Sequence, residues 1–336
     1  MYIGDWSSDV CSSDLGNYMK RLKRTYSRCA LWTLAALLLC MIAGSFFDLP
    51  LSKLLYPGHE NSLGQFFAAF GELPAFLALT CSGCLLLVYR ERINPSWSAL
   101  TAVCGAALIL MGLVLNIREA SDNVPDMPVW VSILVTVFAA AATGAGIVYY
   151  ARGASAKTVV RFVLTLVVVS IGTMFLINLI KVPWGRVRMR QIYKTSESYF
   201  TPWWQAGSTL KKKLMAEGVS SDEFRSFPSG HTACAACAML IGLLPTLRKG
   251  KEKRTRLLFI LGCLWAAAVA VSRIWMGAHF LTDVTMAWLI ALGMCALCVH
   301  LFYFDKRFFA KLWRVLSTSA NPFLPKKRSV ESPDSE

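Results

Sequence analysis

Eight long stretches without charge, or nearly so, constrain this chain more than any other feature. They run over Cys29–Phe47, Phe66–Tyr89, Trp97–Asn116, Val129–Tyr150, Val159–Ile180, Ser229–Leu247, Leu257–Trp275 and Asp283–Phe304. Each is close to the roughly 20 residues that a helix needs to cross bilayer hydrocarbon. A backbone in lipid must satisfy its own hydrogen bonds, so each run reads as a helix. The predicted fold is all-α, a polytopic transmembrane bundle of about eight helices. The second run contains Glu72 and Pro74 and is the least regular, so a count of six or seven stays open. Glu72 reads either as a functional intramembrane acid or as the mark of a helix end beside Pro74.

The chain has 336 residues, 55% of them hydrophobic, and a formal charge of +15. Such a charge could point to nucleic acid. Here the cations are spread between apolar runs, which argues for the membrane surface and against nucleic acid. Lys20, Arg21, Lys23, Arg24 and Arg28 precede the first run, and Arg90 and Arg92 follow the second. Arg152, Lys157 and Arg161 lie between the fourth and fifth. Arg248 to Arg256 separate the sixth and seventh, and Lys306, Arg307, Lys311 and Arg314 follow the eighth. In an eight-helix count these segments share one side, which the positive-inside rule makes cytoplasmic, with both termini there. The linkers 48–62 and 117–127 fall outside. The long segment Lys181–Phe227 is also outside and yet is rich in cations, an exception to the bias.

Three clusters carry chemistry, and all three fall on the outer side. In Ser272–Asp283, His279 and Asp283 are four residues apart and would share a helix face. A carboxylate there would fix the imidazole tautomer and make the other ring nitrogen a better nucleophile. Arg273 offers a permanent planar cation for a phosphoryl group. Taken alone, the stretch reads equally as a helix end with a capping Asp. In Phe227–Thr232, Ser229 is a good N-cap, Gly230 permits close approach, and free N–H groups at a helix start bind anions. His231 would stand beside that anion. The third cluster, Lys181 to Arg190, packs Lys181, Arg186, Arg188 and Arg190 at the end of an apolar run, where juxtamembrane charges are also common.

Together, Lys181-x6-Arg188, Pro228-Ser229-Gly230-His231 and Ser272-Arg273-x5-His279-x3-Asp283 resemble the three-part signature of the type 2 phosphatidic acid phosphatase superfamily. The resemblance covers about Leu164 to Phe304. It departs from the family pattern at Met189, where a proline usually follows the arginine. It implies a membrane-bound lipid phosphatase with an extracytoplasmic site. In the implied roles His279 is the nucleophile that forms a phosphohistidine, Asp283 supports it, and His231 is the general acid and base. Lys181, Arg188, Ser229, Gly230 and Arg273 hold the phosphate. No metal and no cofactor are implied. The implied partners are a lipid phosphate and the bilayer; relatives act on undecaprenyl diphosphate, phosphatidylglycerol phosphate or phosphatidic acid. A phosphotransferase using the same site, a transporter and a non-catalytic lipid-binding protein are the rival readings. A transporter would show paired repeats with broken helices, and no clear repeat is present.

The remaining features are minor. Residues 1–18 are expected to be a non-native leader, since Asp5 to Leu15 looks like a translated sequencing adapter. Residues 19–157 form the N-terminal helices, 158–305 the catalytic core, and 306–336 a basic, partly disordered tail. The pairs Cys81/Cys84, Cys234/Cys237 and Cys295/Cys298 lie inside apolar runs and read as packing residues. Tyr193, Tyr199, Phe200, Trp203 and Trp204 read as interfacial anchors, or as a lid or lipid-tail groove. His59 and His300 are weak candidates, one in a short loop and one at the inner helix end.

Overall fold

In the computed structural model, residues 6–59, 61–124, 128–248 and 254–318 are described, with backbone alone before Met19. Among the described residues there are helices and no strands, and eight of the helical segments are long and apolar enough to cross a membrane. The helices are α1 (Trp6–Leu55), α2 (Ser62–Phe70), α3 (Leu73–Ile93), α4 (Ser98–Asn123), α5 (Val129–Tyr150) and α6 (Ala156–Trp184). They continue with α7 (Met189–Lys194), α8 (Ser208–Ala216), α9 (Gly230–Ala236), α10 (Arg254–Trp275), α11 (Leu281–Val299) and α12 (Lys306–Ser317). The expected polytopic helix bundle is the observed architecture.

The irregular second run resolves into two helices. Pro74 stands in the first turn of α3, where its missing N–H costs nothing, and a new helix starts there. Gly71 closes α2, and the indole N–H of Trp265 donates to its carbonyl at 3.2 Å. The helix-end reading of Glu72 holds: it stands at the N-cap position of α3, with its side chain buried.

The sixth span is short. After α9 the chain tightens into a 3₁₀ helix over Cys237–Leu247. A 3₁₀ helix rises about 2.0 Å per residue against about 1.5 Å in an α-helix, so the span reaches about 32 Å instead of about 27 Å. That matches a hydrocarbon core of about 30 Å. It packs against α10, where Gly262 meets backbone. A Cβ on Gly262 would lie 2.4 Å from the Ala238 carbonyl oxygen. Small residues let helices approach this closely in lipid. Gly262→Ala is therefore expected to lower stability by about 1–3 kcal/mol. Gly146→Ala, in a position with nothing within 4 Å, should be tolerated. Thermal unfolding of both variants in detergent checks the contrast.

α6, α9, α10 and α11 form the centre. α1 packs on α10 and α11, α3 on α6 and α9, and α4 and α5 join through α3. One expectation changes here. The segment from Asp48, read as a linker, is the last two turns of α1, and Asp48 is buried. The basic tail begins with a helix: Asp305 caps α12 by accepting from the backbone N–H groups of Arg307 and Phe308, and Phe309 is buried beneath Arg161. Residues 319–336 and the cations Lys249, Lys251 and Lys253 lie outside the described residues. The cationic segments meet at one end of the bundle, where Asn94 donates to the carbonyls of Leu316 and Thr318 and Arg248 lies over Tyr150. The three sequence clusters meet at the opposite end.

Candidate active site

A cavity of about 530 Å³ opens at that opposite end. Lys181, Arg188, Gly230, His231, Arg273 and His279 all line it. The loop turns and helix ends explain how. α6 delivers Lys181 in its last turn and stops at Gly185, whose φ of +71° favours glycine. Arg188 then caps α7, and Met189 takes the first helical position, buried beneath it. That position tolerates a proline, so methionine keeps the same local path.

Lys181 is buried, and its ammonium has no hydrogen-bond or ion-pair partner among the described residues. Arg188 pairs with Asp222 at 2.7 Å through Nη1, while its buried Nε has no partner. Arg273 donates from Nη2 to the Gly64 carbonyl and from Nε to Ser272 Oγ at 3.3 Å. Three cations with donor capacity left over around one cavity make an anion site. Gly230 is part of its wall: a Cβ there would stand 3.4 Å from the Lys181 ammonium. Ser229 lies behind the wall. Its side chain caps α9, accepting from Thr232 Oγ1 at 3.0 Å, and it is fully buried.

His279 and Asp283 do not share a helix. α11 starts at Leu281, and His279 sits in the turn before it. Its Nδ1 is 2.5 Å from the Ser226 carbonyl oxygen and 3.9 Å from Asp283 Oδ2. A carbonyl only accepts, so Nδ1 carries the hydrogen and Nε2 keeps its lone pair. Burial pushes the His279 imidazole well below the usual histidine range, and Lys181, Arg188 and His231 push the same way. The Ser226 carbonyl opposes them and is outweighed. The result is a neutral imidazole with a free nitrogen. Asp283 acts one step back: it accepts from Ser226 Oγ at 2.5 Å, from the Phe280 N–H at 2.8 Å and from Arg186 at 2.5 Å.

Arg186 was legible only as one cation in a cluster. It is fully buried and faces away from the cavity. It joins Asp283 to Asp48 of α1 at 3.0 Å, donates to Thr282 Oγ1 and the Thr201 carbonyl, and stacks on Phe280 and Phe200. Trp203 stacks on Phe227, so part of the aromatic loop is packing around this node, while Tyr193 and Trp204 stay exposed.

His231 is held by the N-terminal helices. Its Nδ1 is 3.4 Å from Glu72 Oε1, and its Nε2 is 3.2 Å from Glu119 Oε1 and 3.1 Å from the Ala68 carbonyl. Glu119 carried no motif in the sequence and lay in an apparent linker. His59 is exposed, and His300 lies at the other end of the bundle, so neither joins the site. The paired cysteines sit within helices as free thiols.

Eight helices long and apolar enough to cross a membrane, with three cations and two histidines around one cavity at one end, are features that a membrane protein able to hold an anion needs. Residues 162–307, in the C-terminal half of the chain, match the model of the PAP2 superfamily. A curated relative, phosphatidylglycerophosphatase B of Bacillus subtilis (strain 168), is 37% identical over 95 residues, which is 26% of this chain. The match spans 41% of that relative's length. No solved structure matches the chain.

Proposed function

We propose that this protein is an integral-membrane phosphatase that hydrolyses a lipid phosphate or diphosphate through a phosphohistidine on His279. The observation that carries the reading is the convergence of Lys181, Arg188 and Arg273 with two histidines on one cavity. Nε2 of His279 attacks phosphorus, forming the N–P bond as the bond to the leaving oxygen breaks. Lys181, Arg188, Arg273 and the Gly230 wall hold the equatorial oxygens as charge redistributes. His231 gives its proton to the leaving oxygen, then takes one from the water that attacks the phosphohistidine and releases phosphate. Ser226 and Asp283 hold the His279 ring. The three cations supply the charge stabilisation, so the cycle needs no metal.

A lipid substrate is supported by a second, apolar cavity of about 650 Å³. It lies between α3, α5, α6 and α10 and shares α3 and the α9 span with the first as walls. The name of the Bacillus relative puts phosphatidylglycerol phosphate at the head of the candidates, with undecaprenyl diphosphate and phosphatidic acid beside it. The positive-inside distribution supports an extracytoplasmic cavity and a cytoplasmic position for the described C-terminal helix.

The test is phosphate release by purified protein in detergent against a panel of lipid mono- and diphosphates, with EDTA present. Release that survives EDTA is the expected result. Absence of release from every lipid, by folded protein, would overturn hydrolysis.

A further inference from the structure

His231 lies within residues 162–307, the segment that matches the PAP2 superfamily, and both carboxylates that face its ring lie outside that segment. Glu72, at the break between α2 and α3, is buried and faces Nδ1 at 3.4 Å. Glu119, on α4, is more open and faces Nε2 at 3.2 Å. Nε2 also faces the Ala68 carbonyl, which can only accept, so Nε2 carries a hydrogen. The cations that share this cavity wall include Lys181 of α6, Arg188 of the following loop, Arg273 of α10 and Arg118 beside Glu119. Those cations surround the anion site, and Glu72 and Glu119 are the carboxylates whose oxygens approach the imidazole itself.

Resting on the phosphatase reading, we infer that Glu72 is the positioning residue for His231: it anchors Nδ1 so that Nε2, with its proton, is presented to the leaving oxygen. Glu119 occupies the Nε2 side when no leaving group is there. As the phosphorus–oxygen bond breaks, the Nε2 proton passes to the leaving oxygen and His231 becomes neutral. The attacking water then returns a proton to Nε2 and adds its oxygen to phosphorus as the His279 N–P bond breaks. Glu72 stays ionised throughout and favours the protonated ring before and after. The N-terminal helices thereby become part of the catalytic site, with a carboxylate serving His231 as the Ser226 carbonyl serves His279.

The experiment compares two substrates on the full chain in detergent: a diacylglycerol phosphate, whose alkoxide must be protonated to leave, and nitrophenyl phosphate, whose phenolate leaves without a proton. Glu72→Gln is expected to lower turnover of the lipid by about 10²-fold or more, the scale of general acid–base catalysis. The first release of nitrophenolate, read in a single turnover before water attacks the phosphohistidine, should fall less than about tenfold, which also reports that the variant is folded. Glu72→Asp should recover part of the lipid activity. Equal losses of this first release on both substrates, or no loss on the lipid, would overturn the inference. So would EDTA abolishing wild-type activity, because the carboxylates would then serve a metal. Wild-type protein inactive on both substrates would instead overturn the phosphatase reading, and this inference with it.

Discussion

Arg186→Ala is expected to destabilise the protein by about 3–5 kcal/mol, the cost of breaking a buried ion pair from one side. The guanidinium is fully buried and lies between Asp48 and Asp283, at 3.0 and 2.5 Å. Removing it leaves two buried carboxylates near one another without a cation. Three elements lose their junction together: the end of α1, the start of α11 and the loop after α6. Arg186→Lys should recover little, because an ammonium cannot match the four acceptors that the planar fork reaches. Thermal unfolding in detergent measures the loss. Replacing both partners as well, in an Arg186→Met, Asp48→Asn, Asp283→Asn variant, should regain part of it, since the uncompensated charges would be gone. A single Arg186→Ala variant as stable as wild type would show that the node carries no strength.

His279→Ala should abolish phosphate release, a larger loss than the ~10²–10³-fold typical of one missing oxyanion donor. Among the described residues the ring makes one hydrogen bond, to the Ser226 carbonyl, so the fold should survive its removal. Trapping of labelled phosphate on wild-type protein and not on the variant checks the assignment. The charge state gives a second check. Burial, then Lys181, Arg188 and His231, hold the imidazole well below the ordinary value of 6.5. His279 therefore stays neutral as pH falls through the usual histidine range. In an NMR titration the His279 ring should show no protonation step between about pH 5.5 and 8. The linked effect on stability has a definite sign. Below pH 6.5 the unfolded chain binds a proton that the folded chain does not, so this residue makes stability fall on acidification. It contributes nothing to pH dependence above that range.

The membrane architecture was legible because it depends on composition over about 20 residues, which a bilayer reads almost independently of tertiary contacts. The spans at 129–150 and 257–275 fall within a few residues of the helices seen. The motif residues Lys181, Arg188, Gly230, His231, Arg273 and His279 were legible for a different reason. Phosphate chemistry needs particular side chains at fixed local spacing, and local spacing is what a sequence records.

The rest required distance. His279 and Asp283 looked like helix neighbours, but the helix begins two residues too late, and the nearest acceptor is a backbone carbonyl from Ser226, which no side-chain pattern announces. Arg186 and Arg188 are two residues apart in one cationic cluster. One lines the cavity and the other is buried against Asp48, 138 positions away. Glu72 and Glu119 belong to helices with no motif at all. The sequence by itself determined that this chain holds about eight runs long and apolar enough to cross a membrane, and where its three motifs stand. Tertiary structure alone decided which groups stand behind those residues, because carboxylates and carbonyls acquire such roles through proximity, and helix packing brings together residues that chain order keeps apart.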